Sequence, residues 1–372
     1  MTKLFKKCRI CGDEPPIIAG FLGICSDCIK KNPSEAIELS RITHEKNRTP
    51  WSLTPYVPDN KNGGQCHLCS NECSIGVGNR GYCGIRKNTD GHLQSIAGKS
   101  KALLHTYLDP LPTNCCSTYF CPAGTAAGYP DFSYKKGPEY GYYNLACFLY
   151  GCNFSCLGCQ NDQHRALKSA ETYTLDKFVL KIKNNSKISC ICWFGGSPEP
   201  QLPWALRASR RAVEATADKI LRICWEWNGA GNEKLVQNAV SLSLKTGGNA
   251  KFDLKYFSPT LSQVLSGVSN QQSYINFEKC FQKFYHERED DPVLTATTLL
   301  VPTYVDKEEV NEIAQFLASL DKSIPYSLLI FHSDSYLMDL PVTPVQQVKD
   351  CYEAAKNHLN NVHIGNKHLI GL

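Results

Sequence analysis

Three cysteines near the middle of the chain have a spacing that suits a metal cluster. Cys152, Cys156 and Cys159 form the pattern C-x3-C-x2-C within YGCNFSCLGCQN. A short loop of this kind can wrap one corner of a [4Fe-4S] cubane and present three thiolates to three of its irons. The fourth iron then lacks a protein ligand and can chelate a small molecule. The alternative is a zinc site made of the same thiolates, although structural zinc favours two separated Cys pairs.

Two Cys pairs at an earlier position have that zinc pattern. They form C-x2-C-x13-C-x2-C, and the four residues are Cys8, Cys11, Cys25 and Cys28. This spacing predicts a tetrahedral four-thiolate site of the zinc-ribbon kind. A bound zinc would stabilise a segment of about 30 residues that is too short to build its own core. Iron in the same site and thiols without a metal are the alternatives.

Two further cysteine groups have less specific spacing. The first is C-x2-C-x3-C-x9-C, formed by Cys66, Cys69, Cys73 and Cys83. Four thiols in so short a stretch favour a bound metal, but the spacing does not rank zinc, a single iron or a second cubane. We expect a structural site with one metal ion. The second group, in PTNCCSTYFCP, can complete a third site, reach the active face or form a redox pair, and consists of Cys115, Cys116 and Cys121.

Composition limits where the chain acts and what it binds. Of its 372 residues 20 are cysteine, and 40 Lys and Arg against 35 Asp and Glu give a formal net charge of +5 without a basic block. This charge leaves no footprint for nucleic acid. No apolar run approaches the roughly 18 residues of a membrane span, and MTKLFKKC lacks the apolar stretch of a signal peptide. We therefore expect a cytoplasmic protein, away from membranes, whose cysteines ligate metals rather than form disulfides. Isolated cysteines such as Cys190, Cys192 and Cys224 are interpreted as small buried hydrophobes.

Three regions of the sequence differ in composition and in hydrophobic periodicity. Residues 1–62 hold the zinc-ribbon-like segment and a Pro-rich linker over 49–60. Residues 63–143 contain Gly, Cys and Pro with little periodicity, which predicts a loop-dominated, metal-binding segment. Over 144–372, apolar strand-like runs alternate with amphipathic stretches. The predicted strands cover 144–152, 188–196, 219–229, 250–257, 293–302 and 326–332, and the predicted helices cover 174–183, 203–217, 232–245, 259–286, 306–319 and 344–360.

This alternation predicts an α/β fold, a partial (β/α)6 TIM-like barrel. Six β/α units are too few to close the eight-stranded barrel, so we expect an open sheet of parallel strands. The strand runs are apolar throughout because parallel sheets are covered on both faces. Active sites gather at the carboxyl ends of such strands, and the C-x3-C-x2-C loop directly follows the first one.

In this position the cysteine loop resembles that of the radical SAM superfamily. The resemblance implies that the open iron binds the amino and carboxylate groups of S-adenosylmethionine. It further implies reductive cleavage to methionine and a 5′-deoxyadenosyl radical, which abstracts hydrogen from a substrate. The electron would come from a low-potential donor of the ferredoxin or flavodoxin type. Family members usually carry an aromatic residue just before the third cysteine, where this chain has Gly158.

The end of the second strand, FGGSPEP, resembles the family's Gly-Gly-Glu segment, which receives the ammonium group of the cofactor. Gly195 and Gly196 would allow the close approach. Ser197 and Glu199 would be polar partners, although the third position is not acidic here. The alternative is a bare turn after a strand.

The later strands also end in polar residues. The two-residue period puts Glu226 and Asn228 of WEWNG on one face of the third strand, so both point toward the site or both away from it. In KFDLKYF, Lys251, Asp253 and Lys255 share a face. Asp253 and Lys255 contact cofactor or substrate carboxylate or form a structural ion pair. His332 ends the sixth strand, either as a catalytic candidate or as a satisfied structural group.

Within the superfamily, the chain resembles the glycyl-radical-enzyme (pyruvate formate-lyase) activating enzymes and the AmmeMemoRadiSam-system protein. KFDLK, the strand-six His and CQN after the cysteine loop carry this resemblance, and residues 66–91 resemble the amino-terminal part of the second group. We therefore expect a radical enzyme acting on a protein or peptide, for example an activase. An open barrel leaves room for a large substrate loop to enter.

Two other functions stay open at this point. A cobalamin-assisted radical methyltransferase needs a methyl carrier, and NDQHRAL has Asp162 and His164 but Leu167 where the Asp-x-His-x-x-Gly signature requires Gly. If the protein only bound partners and all its metals were structural, we would expect no group of polar residues at the mouth of the barrel. The charged residues at successive strand ends argue against that function.

Overall fold

Seven parallel strands form the centre of the molecule in a computed structural model, which describes residues 4–113, 115–288 and 291–371. The strands are β1 (Gly64–Gln65), β2 (Ser74–Ile75), β3 (Arg86–Thr89), β4 (His92–Ser95), β5 (Lys101–Pro110), β6 (Tyr143–Leu149), β7 (Thr172–Thr174), β8 (Ile188–Gly195), β9 (Arg222–Trp227), β10 (Ala250–Asp253), β11 (Leu294–Leu300), β12 (Tyr326–Ile330) and β13 (Val362–Gly365). The helices are α1 (Ser26–Lys31), α2 (Pro33–Arg48), α3 (Pro122–Thr125), α4 (Leu175–Lys183), α5 (Leu202–Glu214), α6 (Glu233–Thr246), α7 (Pro259–Ser266), α8 (Gln271–Phe284), α9 (Lys307–Leu320) and α10 (Val345–Lys356).

The large sheet has the order β13-β12-β11-β10-β9-β8-β6-β5-β7. From β6 to β13 neighbouring strands are parallel, whereas β5 pairs antiparallel with both β6 and β7. In the described part of the chain the two edges do not pair with each other, so the barrel is open. The predicted partial α/β barrel is confirmed, with β13 as a seventh parallel strand beyond the six expected.

An aromatic layer joins the sheet to the helices outside it. Trp193, Trp225 and Trp227 lie on β8 and β9 with ring centroids 6.1 and 5.6 Å apart along the row, and Trp193 donates to Ser209 of α5 at 2.8 Å. All three rings are essentially buried. Each such side chain contributes roughly 1.5–3 kcal/mol through burial. The alternate residues on these strands therefore face the barrel interior.

The region before β6 contains more regular structure than its sequence suggests. The ten-residue strand β5 extends the central sheet, and β1–β2 and β3–β4 form two small antiparallel pairs. The amino-terminal part packs on the barrel: α2 lies against α7, and the hydroxyl of Tyr304 bonds to the main chain of Ala19 and Ile24 at 3.0 and 2.8 Å. A search of the described residues for a helix with the length and apolar character of a membrane span gives none.

Candidate active site

The loop after β6 brings three thiols to one cavity at the carboxyl ends of the strands. Strand β6 ends at Leu149, and Gly151 turns the chain with φ +80°. Cys152, Cys156 and Cys159 line a cavity of about 440 Å³ together with residues from the ends of β8 to β13. The apolar run of β6 ends at this turn, so the thiols that follow it lie at the carboxyl end of the strand.

Neighbouring elements hold the loop in place. Asn47 at the end of α2 donates to the main-chain oxygen of Ser155 at 3.4 Å, and Arg165 donates to that of Cys156 at 2.9 Å. The thiol of Cys156 lies 3.1 Å from the hydroxyl of Ser266. The main-chain N–H of Phe154 points at the sulfur of Cys152 at 3.3 Å. These contacts fix the position of the loop relative to α2, α7 and the segment that holds Arg165.

The arrangement fits a polynuclear iron–sulfur cluster better than a single ion. The sulfurs of these three cysteines do not all lie within 4.8 Å of one another. Among the described residues, a different group of possible metal ligands meets that distance. Tetrahedral zinc brings thiolate sulfurs to about 3.8 Å, whereas the corners of a cubane hold them about 6 to 7 Å apart. The buried Arg165 faces this site with no described carboxylate within 4 Å, while the equally buried Arg222 pairs with Glu139 at 2.5 Å. A buried cation without a carboxylate suits a site that holds an anionic group.

Two glycines shape the wall next to the thiols. A Cβ on Gly196 would lie 2.3 Å from the main-chain oxygen of Gly151, and one on Gly195, where φ is +110°, would lie 2.6 Å from the nitrogen of Leu149. Both glycines line the cavity with backbone alone. This turn therefore needs glycine for its approach to the thiol loop, and it leaves backbone polar groups facing a ligand.

The structure also explains the missing aromatic residue before the third cysteine. A Cβ on Gly158 would lie 2.9 Å from Cδ1 of Leu337 and 3.2 Å from the ring of Phe331. Leu337 lines the cavity beside Gly158. Residues that follow β12 thus fill the volume that a side chain at position 158 would need.

An amide network connects the strand ends to the thiol loop. Asn228, directly after β9, donates to Asn153 Oδ1 at 2.8 Å and to Ser197 Oγ at 3.0 Å. Its amide nitrogen is 4.0 Å from the sulfur of Cys152. All of these side chains are buried, so the network fixes the loop relative to β8 and β9.

Charged side chains alternate in sign across the cavity wall. Lys251 lies 3.0 Å from Glu226 and 3.7 Å from Asp253, and Asp253 lies 3.0 Å from Lys255. Burial alone would raise the pKa of both carboxyl groups, but Lys251 holds the pKa of Glu226 below its ordinary value, and Lys255 with Lys251 does the same for Asp253. All four side chains line the cavity and form a row of charges without excess of either sign.

Sequence reasoning left the Cys115–Cys116 pair open among three roles, and the structure places it at the cavity. The thiol of Cys115 donates to Glu226 at 2.8 Å, and both cysteines line the cavity. The main chain of Cys116 accepts from Ser327 on β12 at 3.0 Å, and Ser117 bonds Thr295 on β11 at 2.9 Å. Residues 115–117 therefore enter the barrel interior and form the cavity floor.

Two of the residues predicted for the site lie elsewhere. Glu199 is fully buried behind the wall, where it accepts from the N–H of Gly229 at 2.8 Å, and burial raises its pKa to about 7. His332 is partly exposed beyond β12, with Nδ1 3.9 Å from Asp334. Neither is among the described residues that line the cavity. Conversely, the cavity includes His164, whose buried Nδ1 has no described hydrogen-bond partner.

The first four-cysteine group lies away from this cavity. The ligand atoms of Cys8, Cys11, Cys25 and Cys28 all lie within 4.8 Å of one another. The N–H of Gly12 bonds to the main chain of Cys8 at 2.9 Å, and the N–H of Cys25 points at the sulfur of Cys8 at 3.5 Å. Such turns and such spacing are those of a tetrahedral site for a single ion.

Comparison with known proteins gives the following. Residues 147–317 match the protein family described as the Radical SAM superfamily. An uncharacterized protein of Methanocaldococcus jannaschii, MJ0808, is 24% identical over 313 residues, which are 81% of each chain.

Solved structures are similar to parts of the chain. A domain of pyruvate-formate lyase-activating enzyme from Bacteroides vulgatus is 17% identical, with a TM-score of 0.36, over 47% of this chain and 98% of that one. A radical SAM methyltransferase from Sphaerobacter thermophilus is 11% identical, with a TM-score of 0.43, over 60% and 66%. SuiB from Streptococcus suis is 13% identical, with a TM-score of 0.44, over 59% and 48%. The chain is thus similar to the Radical SAM superfamily over residues 147–317, the part that contains the thiol loop and the ends of β8 to β11.

Proposed function

We propose that this protein is a radical SAM enzyme that abstracts hydrogen from a protein or peptide. The observation that carries the proposal is the convergence of Cys152, Cys156 and Cys159 on the cavity that also holds the strand-end charges. When bound, a [4Fe-4S] cluster and S-adenosylmethionine supply a 5′-deoxyadenosyl radical. The three thiolates would hold the cluster, and the backbone of Gly195 and Gly196 would face the bound cofactor.

The chain's own charges orient what enters the cavity. Asp253 and Lys255 pair at 3.0 Å at one end of the charged row, where they can bind the ammonium and carboxylate groups of an amino acid. Glu226 and Lys251 lie nearer the floor. The cavity of about 440 Å³ would hold the cofactor together with the part of the substrate that reacts. We therefore favour a substrate that inserts one residue and leaves the rest of its chain outside, as a protein or peptide does.

We further propose that the protein works in a reducing compartment, where its grouped cysteines ligate metals rather than form disulfides. In this proposal, the site of Cys8, Cys11, Cys25 and Cys28 binds zinc, because its ligand atoms converge as tetrahedral zinc requires. The enzyme is then cytoplasmic and receives its electron from a ferredoxin- or flavodoxin-type donor.

The proposal is tested by anaerobic assay of reconstituted protein with dithionite and S-adenosylmethionine, followed by mass spectrometry of 5′-deoxyadenosine. We expect cleavage by the wild type and none by Cys152→Ala. The matched control is Cys147→Ala, since Cys147 lies on β6, the strand before the thiol loop, but is buried in the core. Unchanged iron content and unchanged cleavage in Cys152→Ala would refute the proposal. Formation of S-adenosylhomocysteine alongside 5′-deoxyadenosine would identify a methyltransferase instead of an activase.

A further inference from the structure

A second set of thiols lies beside the thiol loop of the active site. Cys66 follows β1 and Cys73 precedes β2, and the N–H of Cys66 bonds to the main chain of Cys73 at 3.0 Å. Cys69 lies at the tip between them, and Cys83 comes from the loop before β3. Cys73 is buried and the other three residues are half-buried.

The four thiols share one neighbourhood. Gln65 of β1 pairs with Ser74 of β2, so Cys66 and Cys73 leave the same end of this strand pair, and both contact one buried apolar cluster. Cys83 directly follows Tyr82, which belongs to the same cluster. The strand pair and this cluster therefore bring these cysteines together.

Their spacing differs from that of the amino-terminal site in the same chain. The ligand atoms of Cys8, Cys11, Cys25 and Cys28 all converge within 4.8 Å, but among the described residues no three of Cys66, Cys69, Cys73 and Cys83 do so. A single tetrahedral ion needs sulfurs about 3.8 Å apart. The wider set matches a larger core, and this changes the expectation of a single ion.

Backbone groups and arginines around the thiols suit an anionic cluster. The N–H of Tyr82 points at the sulfur of Cys73 at 3.5 Å. Arg48 lies over the ring of Tyr82, the residue before Cys83, with its guanidinium carbon 3.5 Å from the ring centroid. Arg48 is buried and bonds only to main-chain oxygens, those of Thr54 and Tyr82, among the described residues. An iron–sulfur core held by four thiolates carries a net negative charge, which would offset the positive charge of the buried Arg48 guanidinium.

The two thiol sets are in contact. Asn71, which lies between Cys69 and Cys73, donates to the main-chain oxygen of Asn153 at 2.7 Å, and Asn153 directly follows Cys152. Cys73 and Cys152 belong to one buried apolar cluster with Phe154 and Tyr82. One hydrogen bond and a few covalent bonds therefore separate the loops that carry them.

We propose that Cys66, Cys69, Cys73 and Cys83 hold a second iron–sulfur cluster, which passes electrons to the cluster site after β6. The site takes one electron from a low-potential iron–sulfur or flavin donor and gives one electron to its neighbour, so its own oxidation state is restored after each turnover. The presence of a second cluster is independent of the proposed function, while its role as a relay rests on that function.

The first test removes the active-site cluster and counts what is left. A protein with Cys152→Ala, Cys156→Ala and Cys159→Ala is reconstituted anaerobically and assayed for iron, zinc and acid-labile sulfide. We expect about two or four sulfides per chain, as a binuclear or cubane core contains. Adding Cys66→Ser, at the half-buried end of the set, should abolish the sulfide, whereas adding Cys351→Ala, a buried core cysteine, should not. A single ion without sulfide, or no metal, in the triple variant would overturn the proposal.

The second test concerns contact between the clusters. Electron paramagnetic resonance of fully reduced wild-type protein should show a spin-coupled spectrum, broader than the sum of the spectra of the two single-cluster variants. A spectrum equal to that sum would refute the relay. If the triple variant keeps its sulfide but the wild type does not cleave S-adenosylmethionine, the proposed function fails and the second cluster stands.

Discussion

Replacing Lys251 by Met should destabilise the protein through its own charged cavity wall. The ammonium group lies 3.0 Å from Glu226 and 3.7 Å from Asp253, and its side chain is 9% exposed. At an effective dielectric constant of about 20, each of these attractions is on the order of 5 kcal/mol before desolvation is subtracted. Removing one partner of a buried ion pair typically costs about 3–5 kcal/mol, since it leaves a charge without compensation. Asp253 keeps Lys255, so most of the cost falls on Glu226.

The loss should depend on pH in a defined direction. In the wild type Lys251 keeps the pKa of Glu226 low, so the stability from this carboxylate is present above about pH 4.3 and is lost as pH falls through the folded-state pKa. Without Lys251, burial raises the pKa of Glu226, and the protonated group then favours folding only at low pH. The difference between wild type and variant should therefore grow from pH 5 to pH 8, by up to about 1.4 kcal/mol per pH unit.

The assay is urea unfolding of anaerobically reconstituted protein at pH 5 and pH 8. Lys349→Met is the matched control, because Lys349 is exposed on α10 and such a change should stay within about 0.5 kcal/mol. If Lys251→Met unfolds at the same urea concentration as wild type at pH 8, or if its deficit shrinks as pH rises, the description of this charged row is wrong.

Three further outcomes are expected. Gly196→Ala should lower both the iron content and the melting temperature, because its Cβ would meet the oxygen of Gly151 at 2.3 Å, whereas Gly137→Ala, with nothing within 4 Å, should change neither. Burial raises the pKa of Glu199 to about 7, so its contribution to stability is complete below about pH 4.3 and is lost as pH rises through 7. The measured stability of the wild type should therefore decline by about 1.4 kcal/mol per pH unit between about pH 4.3 and 7. Glu199→Gln should flatten this decline. Cys11→Ser should release one zinc per chain and lower the melting temperature while acid-labile sulfide stays constant, and sulfide loss in that variant would contradict the separation of the sites.

The barrel strands could be predicted because each is an apolar run covered on both faces. All six predicted runs contain a strand, from β6 to β12. Strand β13 was missed because VHIG is only four residues long and partly exposed, so it has no apolar run. Strand β5 was missed because its alternating pattern, KALLHTYLDP, stands in a region whose Gly and Cys content predicts loops. Its identity as a strand depends on pairing with β6, a tertiary contact.

The positions of site residues could be predicted where they depend only on the point at which a strand ends. Glu226, Asn228, Asp253 and Lys255 follow from the rule that the carboxyl ends of parallel strands meet. The contact of Cys115 with Glu226 joins residues 111 positions apart and has no periodic signal. Glu199 could not be placed either, since the same strand-end turn offers both the cavity and the space behind it, and a short helical turn over Glu199–Gln201 carries the side chain to the latter.

The floor made by residues 115–117 means that the depth of the chamber and its thiol loop are encoded in separate stretches of chain. Substitutions or insertions around Cys115 can alter which chemical groups fit without disturbing the thiols after β6, because the floor reaches the strands mainly through a few polar contacts. Replacing Cys116 by a smaller residue would enlarge the chamber from below while Asn47 and Arg165 still hold the thiol loop, so the floor is where the size of the accepted ligand can be altered.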